Sequence, residues 1–265
     1  MIQTETVTIP DPVHGYPQVA FGGYVAGLLA RRSGAETVRV DFRRAVPVAT
    51  PLLLPVAEPG HATLTDVDGT LLARALPAAL ELTAPPAPSW SAAERATAAA
   101  LASPKRQVTD CYGCGVECAP GHGLRLFTWP VPNRPVVAGA WIPDAGLAGA
   151  DGDLPPEIVW AALDCPGGFA AWMFQDMALG AVTAALTARQ LRPVTAGAEH
   201  LVHGWAIRGE GRKYTVGVAI STRAGELCAL AEALWVVPRD AAPAPSETPR
   251  RHPAADIAGS RGATA

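Results

Sequence analysis

The 265-residue chain is 49% hydrophobic and 17% charged, which sets it apart from disordered or fibrous chains and suits one large or two smaller globular domains. Its 21 Lys and Arg against 24 Asp and Glu leave a net charge of −3, a balance that argues against nucleic acid or an anionic membrane as partner. The most apolar stretch, 158–191, is interrupted by Asp164, Gln175, Asp176 and Arg189, so no membrane span is expected. Five cysteines, an odd number, follow a start without a basic stretch and an apolar one; a cytoplasmic protein without a disulfide framework is expected. Lys105 and Lys213 are the only lysines, and the bias to Arg, Ala and Pro reads as coding bias rather than function.

Along the chain, Gly22-Gly23 opens an apolar helix over 24–31. In 37–48, Val38, Val40 and Phe42 alternate with Arg39, Asp41 and Arg43, the period of a half-buried strand. Residues 52–57, 61–67 and 70–82 follow as strands, with Asp66 and Asp68 as turn residues beside Gly69. A Pro-rich break at 83–90 and an Ala-rich helix over 91–102 form a linker, 83–107. Strands are expected at 123–131 and 136–142, then one long apolar helix over 157–175, then strands at 181–194, 200–208, 213–221 and 226–237. From 239 to 265 the chain is rich in Pro, Ala and charge with no apolar period, and a disordered tail is expected.

Two blocks, 1–82 and 108–238, thus share an order of elements, and FRRAVPV (42–48) echoes ARQLRPV (188–194). No short-period repeat occurs, so the pattern is that of a whole domain duplicated. One helix against an antiparallel sheet, made twice, is an α+β arrangement. The helix at 157–175 is apolar almost all round and needs a curved sheet wrapped about it.

Three motifs carry a resemblance to a known family. Phe21-Gly22-Gly23-Tyr24-Val25-Ala26-Gly27 is similar to the His-Gly-Gly helix start of the hotdog superfamily, with Phe at the His position. Val159-Trp160-Ala161-Ala162-Leu163-Asp164 is similar to the stretch that ends in its catalytic acid, and Cys111-Tyr112-Gly113-Cys114-Gly115 through Gly123-Leu124 resembles a common entry to the first strand. Over 15–80 and 108–238 the chain therefore resembles the double-hotdog acyl-CoA thioesterases. The resemblance implies two hotdogs in tandem, each a curved antiparallel sheet around a central helix, acting on acyl-CoA or acyl-carrier thioesters without a cofactor. A homodimer of such units is a further possibility.

The halves are complementary. Seven residues after Gly23, where the family has its acid, stands Ala30; seven before Asp164, where it has its glycines, stands Glu157. The first half keeps the glycines and the second the acid, so a single composite site is expected. There Asp164 would serve as base or nucleophile, and the Gly22 and Gly23 amides would hold the thioester oxygen. His14 and Gln18 would orient substrate or water, Trp160 would line the acyl site, and Arg212 and Lys213, in a basic turn with Arg208, would meet the phosphates of coenzyme A.

Each residue also has a plainer reading. Asp164 is placed to cap a helix beginning at Cys165-Pro166, Gly22-Gly23 to make a tight helix entry, His14 to be a solvated loop residue, and Trp160, Trp172 and Phe174 to be core. Arg212 and Lys213 also suit a solvated hairpin tip. Cys111, Cys114, Cys118 and His122 have the spacing of a zinc site, but no second Cys-x-x-Cys follows, so a Gly-rich loop without metal is expected. Cys165 is expected to be a packing residue. Two other activities stay open: a hotdog hydratase or dehydratase, kept alive by His14, and a non-catalytic acyl-thioester binding protein.

Overall fold

Alternation of buried and exposed residues lays down the strands, and spacing by three and four lays down the helices. The computed structural model describes residues 4–55, 57–104 and 108–239. The first part holds β1 (Glu5–Thr8), β2 (His14–Tyr16), β3 (Val19–Ala20), α1 (Gly22–Ser33), β4 (Thr37–Phe42), β5 (Pro51–Leu54), β6 (Ala62–Thr65) and β7 (Leu71–Pro77). After α2 (Trp90–Ala102) come β8 (Trp129–Pro130), β9 (Val136–Trp141), a 3-10 turn at Ala145–Leu147, α3 (Pro156–Ala162), α4 (Cys165–Gln175), β10 (Val182–Gln190), β11 (His200–Glu210), β12 (Lys213–Thr222) and β13 (Leu227–Val236).

Eleven strands join in one antiparallel sheet, in the order β1-β5-β6-β7-β4-β10-β13-β12-β11-β9-β8, and β2 with β3 makes a separate hairpin. Strands from before residue 78 fill one side of this sheet and strands from 129 onward fill the other. They meet where β4 pairs with β10, from Ala185 opposite Asp41 to Arg189 opposite Thr37. Helix α1 packs on β4, β6 and β7, α4 packs on β11 and β12, and α3 packs on α1. Val25, Ala26 and Leu29 are fully buried, the i, i+1, i+4 stripe by which α1 meets the core.

Several sequence boundaries move. The helix expected over 157–175 is two helices broken at Leu163-Asp164, because Pro166 lacks an amide hydrogen and its ring crowds the carbonyl four residues back. Within 123–131 only Trp129 and Pro130 pair as strand. The strand at 70–82 ends at Pro77, and β1 was not expected at all. It is a four-residue edge strand with three of its four residues exposed, so it carries no apolar alternation. The Asp66 to Thr70 turn is as expected, with Asp66 Oδ1 accepting from the Asp68 and Thr70 amides at 3.0 and 2.7 Å.

The internal echo is present, but shifted. Arg43 and Arg44 both donate to the Leu72 carbonyl as their strand ends, and Leu191 and Arg192 both donate to that of Cys228. Val46 O accepts from Ala20, and Val194 O accepts from Leu154. Hydrogen bonding therefore matches 43–46 to 191–194, two residues away from the Pro-Val alignment of the sequence.

Helix α2 starts at Ser89, whose hydroxyl accepts from Ala92 N–H at 3.3 Å, and buries Ala93, Ala96 and Ala100 on one face against β8 and β9. The segment before it is tied down at His203, whose Nε2 lies 3.1 Å from the Pro85 carbonyl. Burial drives the His203 pKa down to about 4; the Pro85 carbonyl opposes this, and the positive charge of Arg134 adds to it. Because the folded value lies below the ordinary 6.5, the unfolded chain binds the extra proton first. Stability from this residue is complete above pH 6.5 and is lost as the pH falls toward 4. Urea unfolding should show about 2–3 kcal/mol of this loss between about pH 7.5 and about pH 4.5. His203→Leu should flatten that drop; an unchanged slope would clear His203 of the effect. Beyond Arg239, the expected tail lies outside the described residues.

Candidate functional site

The break that Pro166 imposes is what presents Asp164. Tight turns close it, with Leu163 N–H bonded to Trp160 O at 3.1 Å and Gly167 N–H to Asp164 O at 3.0 Å. Asp164 occupies the residue before α4, yet its side chain makes no capping bond. The carboxylate instead crosses to the other half of the chain. Oδ2 accepts the Gly23 N–H at 2.7 Å, and Oδ1 accepts the Thr183 hydroxyl at 2.6 Å.

That approach requires glycines. A Cβ on Gly22 would stand 3.1 Å from Asp164 Oδ2, and one on Gly23 would stand 2.7 Å from the Ala161 Cα and 2.8 Å from the Trp160 carbonyl oxygen. One turn on, a Cβ on Gly27 would meet the Glu157 Cα at 2.5 Å. Gly23 and Gly27 thus let the backbones of α1 and α3 touch, and Arg31 closes the far end of the contact on the buried Glu157 carboxylate at 2.8 Å. Glu157, expected only as the place of a missing glycine, is an ion-pair partner.

Asp164 is 2% exposed, and burial raises its pKa to about 6. The bonds from Thr183 and Gly23 pull the value down, and the Cys111 sulfur pushes it up. A helix start leaves its first amides without intrahelical partners. In α1 the Gly23 amide goes to Asp164 and the Val25 amide goes to Phe21 O. The Gly22 amide has no hydrogen-bond partner among the described residues.

The other expected site residues are scattered. His14 Nδ1 contacts the Asp11 carbonyl at 2.8 Å, and Nε2 lies 3.0 Å from Asp110 Oδ2. Burial opposes charging of this ring, but the Asp11 carbonyl and the Asp110 carboxylate outweigh it and raise its pKa. Gln18 is exposed in the β2–β3 turn at φ 64°, its carbonyl accepting from Val48 N–H. Trp160 is buried core, 4% exposed, while Trp172 packs against Trp129 and Phe169, and Phe174 is exposed. Arg212 is an exposed hairpin residue bonded to the Val237 carbonyl, and Lys213 is exposed beside it.

The cysteines gather in another set than their spacing suggests. Cys118 donates to the carbonyls of Cys111 and Asp110, and His122 is exposed. Cys165, read as a packing residue, lies with Cys111 and Cys114 in a group whose sulfurs are all within 4.8 Å of one another. Sequence reasoning also missed Thr183. It sits near the start of β10 among ordinary strand residues, and only the strand pairing brings it to Asp164.

The sequence matches no family model, and no curated protein matches it. Solved structures match the whole architecture. A protein with the hot dog fold from Alicyclobacillus acidocaldarius is 11% identical, with 89% of this chain and 93% of that chain covered at TM-score 0.58. The TesB protein of Mycobacterium avium subspecies paratuberculosis is 16% identical over 89% of this chain and 93% of that chain, at TM-score 0.55. This chain has the hotdog fold. A Thermobifida fusca protein provisionally assigned as a thioesterase II agrees with it at 17% identity, 89% and 94% coverage and TM-score 0.58.

Proposed function

We propose that the protein hydrolyses an acyl thioester, on coenzyme A or an acyl carrier, at one site shared by two hotdog units, 1–82 and 108–238. In this reading α1 is the central helix of the first unit and the α3–α4 pair that of the second, with 83–107 as a linker whose helix α2 lies over the second. The observation that carries it is the contact of Asp164 with Gly23: an acid from one unit meets the amide-rich helix start of the other.

Asp164 takes a proton from water as the water attacks the thioester carbon and returns it to the sulfur as the carbon–sulfur bond breaks, so that the thiol leaves; the acid product gives its remaining proton to solvent and departs as carboxylate. Both carboxylate oxygens are held, so the base is aimed before substrate arrives. The roles of the glycines divide. Gly23 N–H orients the base, and Gly22 N–H, at the positive end of α1, is offered to the developing oxyanion. A structural neighbour that carries a thioesterase name supports the same chemistry.

The test mixes purified protein with a panel of coenzyme A thioesters and follows free thiol. Release of thiol supports hydrolysis. Loss of enoyl absorbance without thiol, or saturable binding with neither, would overturn it in favour of a hydratase or a binding protein. Thr183 acts through Asp164 as a positioning residue. Thr183→Ala should lower kcat roughly 10-fold with KM little changed, and Thr183→Ser should restore it, since the serine hydroxyl reaches the same oxygen. Equal loss in both variants would reduce Thr183 to packing.

A further inference from the structure

The Cys111–Gly115 segment folds as a turn closed by Gly115 N–H on the Cys111 carbonyl at 2.7 Å. A Cβ on Gly115 would lie 2.5 Å from that same oxygen, so the turn depends on glycine there. Beside it, the Cys111, Cys114 and Cys165 sulfurs all lie within 4.8 Å of one another. Cys165 arrives from the α3–α4 break, its sulfur 3.9 Å from that of Cys111. Gly113 makes room for this approach: a Cβ there would stand 2.9 Å from the Cys165 sulfur.

We propose that Cys111, Cys114 and Cys165 form a trithiolate site for a single Zn²⁺ ion. Zinc–sulfur bonds of about 2.3 Å in a tetrahedron place sulfurs about 3.8 Å apart, which the Cys111–Cys165 separation already meets. Cys-x2-Cys is the short ligand spacing of structural zinc sites, and the third ligand comes from a separate element. The chemistry of the set favours zinc over magnesium or calcium, which take oxygen ligands. Binding releases a proton for each thiol that becomes a thiolate. No other His, Cys, Asp or Glu among the described residues joins the group, so the fourth position falls to water.

A bound ion would fasten the segment holding Asp164 to the 111–115 turn. The inference stands apart from the proposed hydrolysis, because its readout is the metal. The full chain is purified with a phosphine reductant, freed of metal, and titrated with Co²⁺ and then Zn²⁺. One equivalent of Co²⁺ should give intense thiolate-to-metal charge-transfer absorption, which Zn²⁺ abolishes stoichiometrically while raising Tm. Cys114→Ser should weaken binding by at least about 100-fold and Cys165→Ser likewise, with far-ultraviolet circular dichroism confirming the fold. Cys228→Ser, outside the cluster, should leave binding intact. Absence of the charge-transfer band in protein whose five thiols are shown reduced would overturn the proposal. So would full binding in Cys114→Ser, or a Cys111–Cys165 disulfide that persists in the reductant.

Discussion

Asp164→Asn is expected to lower thioester hydrolysis by at least about 100-fold while leaving the protein folded. The side-chain carbonyl of Asn can still accept the Gly23 amide hydrogen, so the α1–α3 contact keeps its bond. What is lost is the ability to take a proton. Burial holds the Asp164 carboxyl up at about 6, which means that the ionised form is costly in this place. A neutral isostere removes that cost, and the variant should melt no lower than the parent protein. Activity and stability are then expected to part company. Full hydrolysis by the Asn variant would remove Asp164 from the chemistry, whereas loss of activity together with a collapsed melting temperature would make the residue a strut.

The second large effect separates two glycines of α1. Gly27→Ala drives a methyl into the backbone of α3, where neither partner can swing aside, and should destabilise the fold by about 2–3 kcal/mol or more. For a chain of this size, that lowers Tm by roughly 5 °C or more. Gly22→Ala meets only Asp164 Oδ2 at 3.1 Å and Thr183 side-chain atoms at 3.4 Å and beyond. It should cost under about 1 kcal/mol in stability, because those neighbours yield by a few tenths of an ångström. Its effect should fall on kcat, since the displaced atoms are those of the base and its partner. Thermal melts and steady-state rates on the two variants check the contrast. Equal destabilisation by both would return Gly22 to helix packing.

The long strands of the second half were readable as extended apolar runs: Lys213–Thr222 and Leu227–Val236 hold ten residues each and are buried over most of their length. The first-half strands were found with loose ends because they run four to seven residues, too short for a period to declare where it stops. Asp164 and the glycine pair were legible as a complementarity between halves, and their contact was a matter of spacing along two helices. The break at Asp164 was overlooked although Pro166 stood in plain view, since the apolar run on both sides masked it. Thr183 and the third thiol of the cluster had no sequence signal. Each reaches its partners only through tertiary placement, Thr183 from β10 across 19 residues and Cys165 from α4 across 54.

The β4–β10 pairing carries a consequence for how the molecule behaves in dilute solution. Hotdog units that meet as separate chains are held by mass action and part when diluted. Here both strands belong to one polypeptide, so their encounter is first order and the local concentration of each for the other is set by the connecting chain. The Asp164 carboxylate and the Gly23 amide therefore stay face to face at any protein concentration.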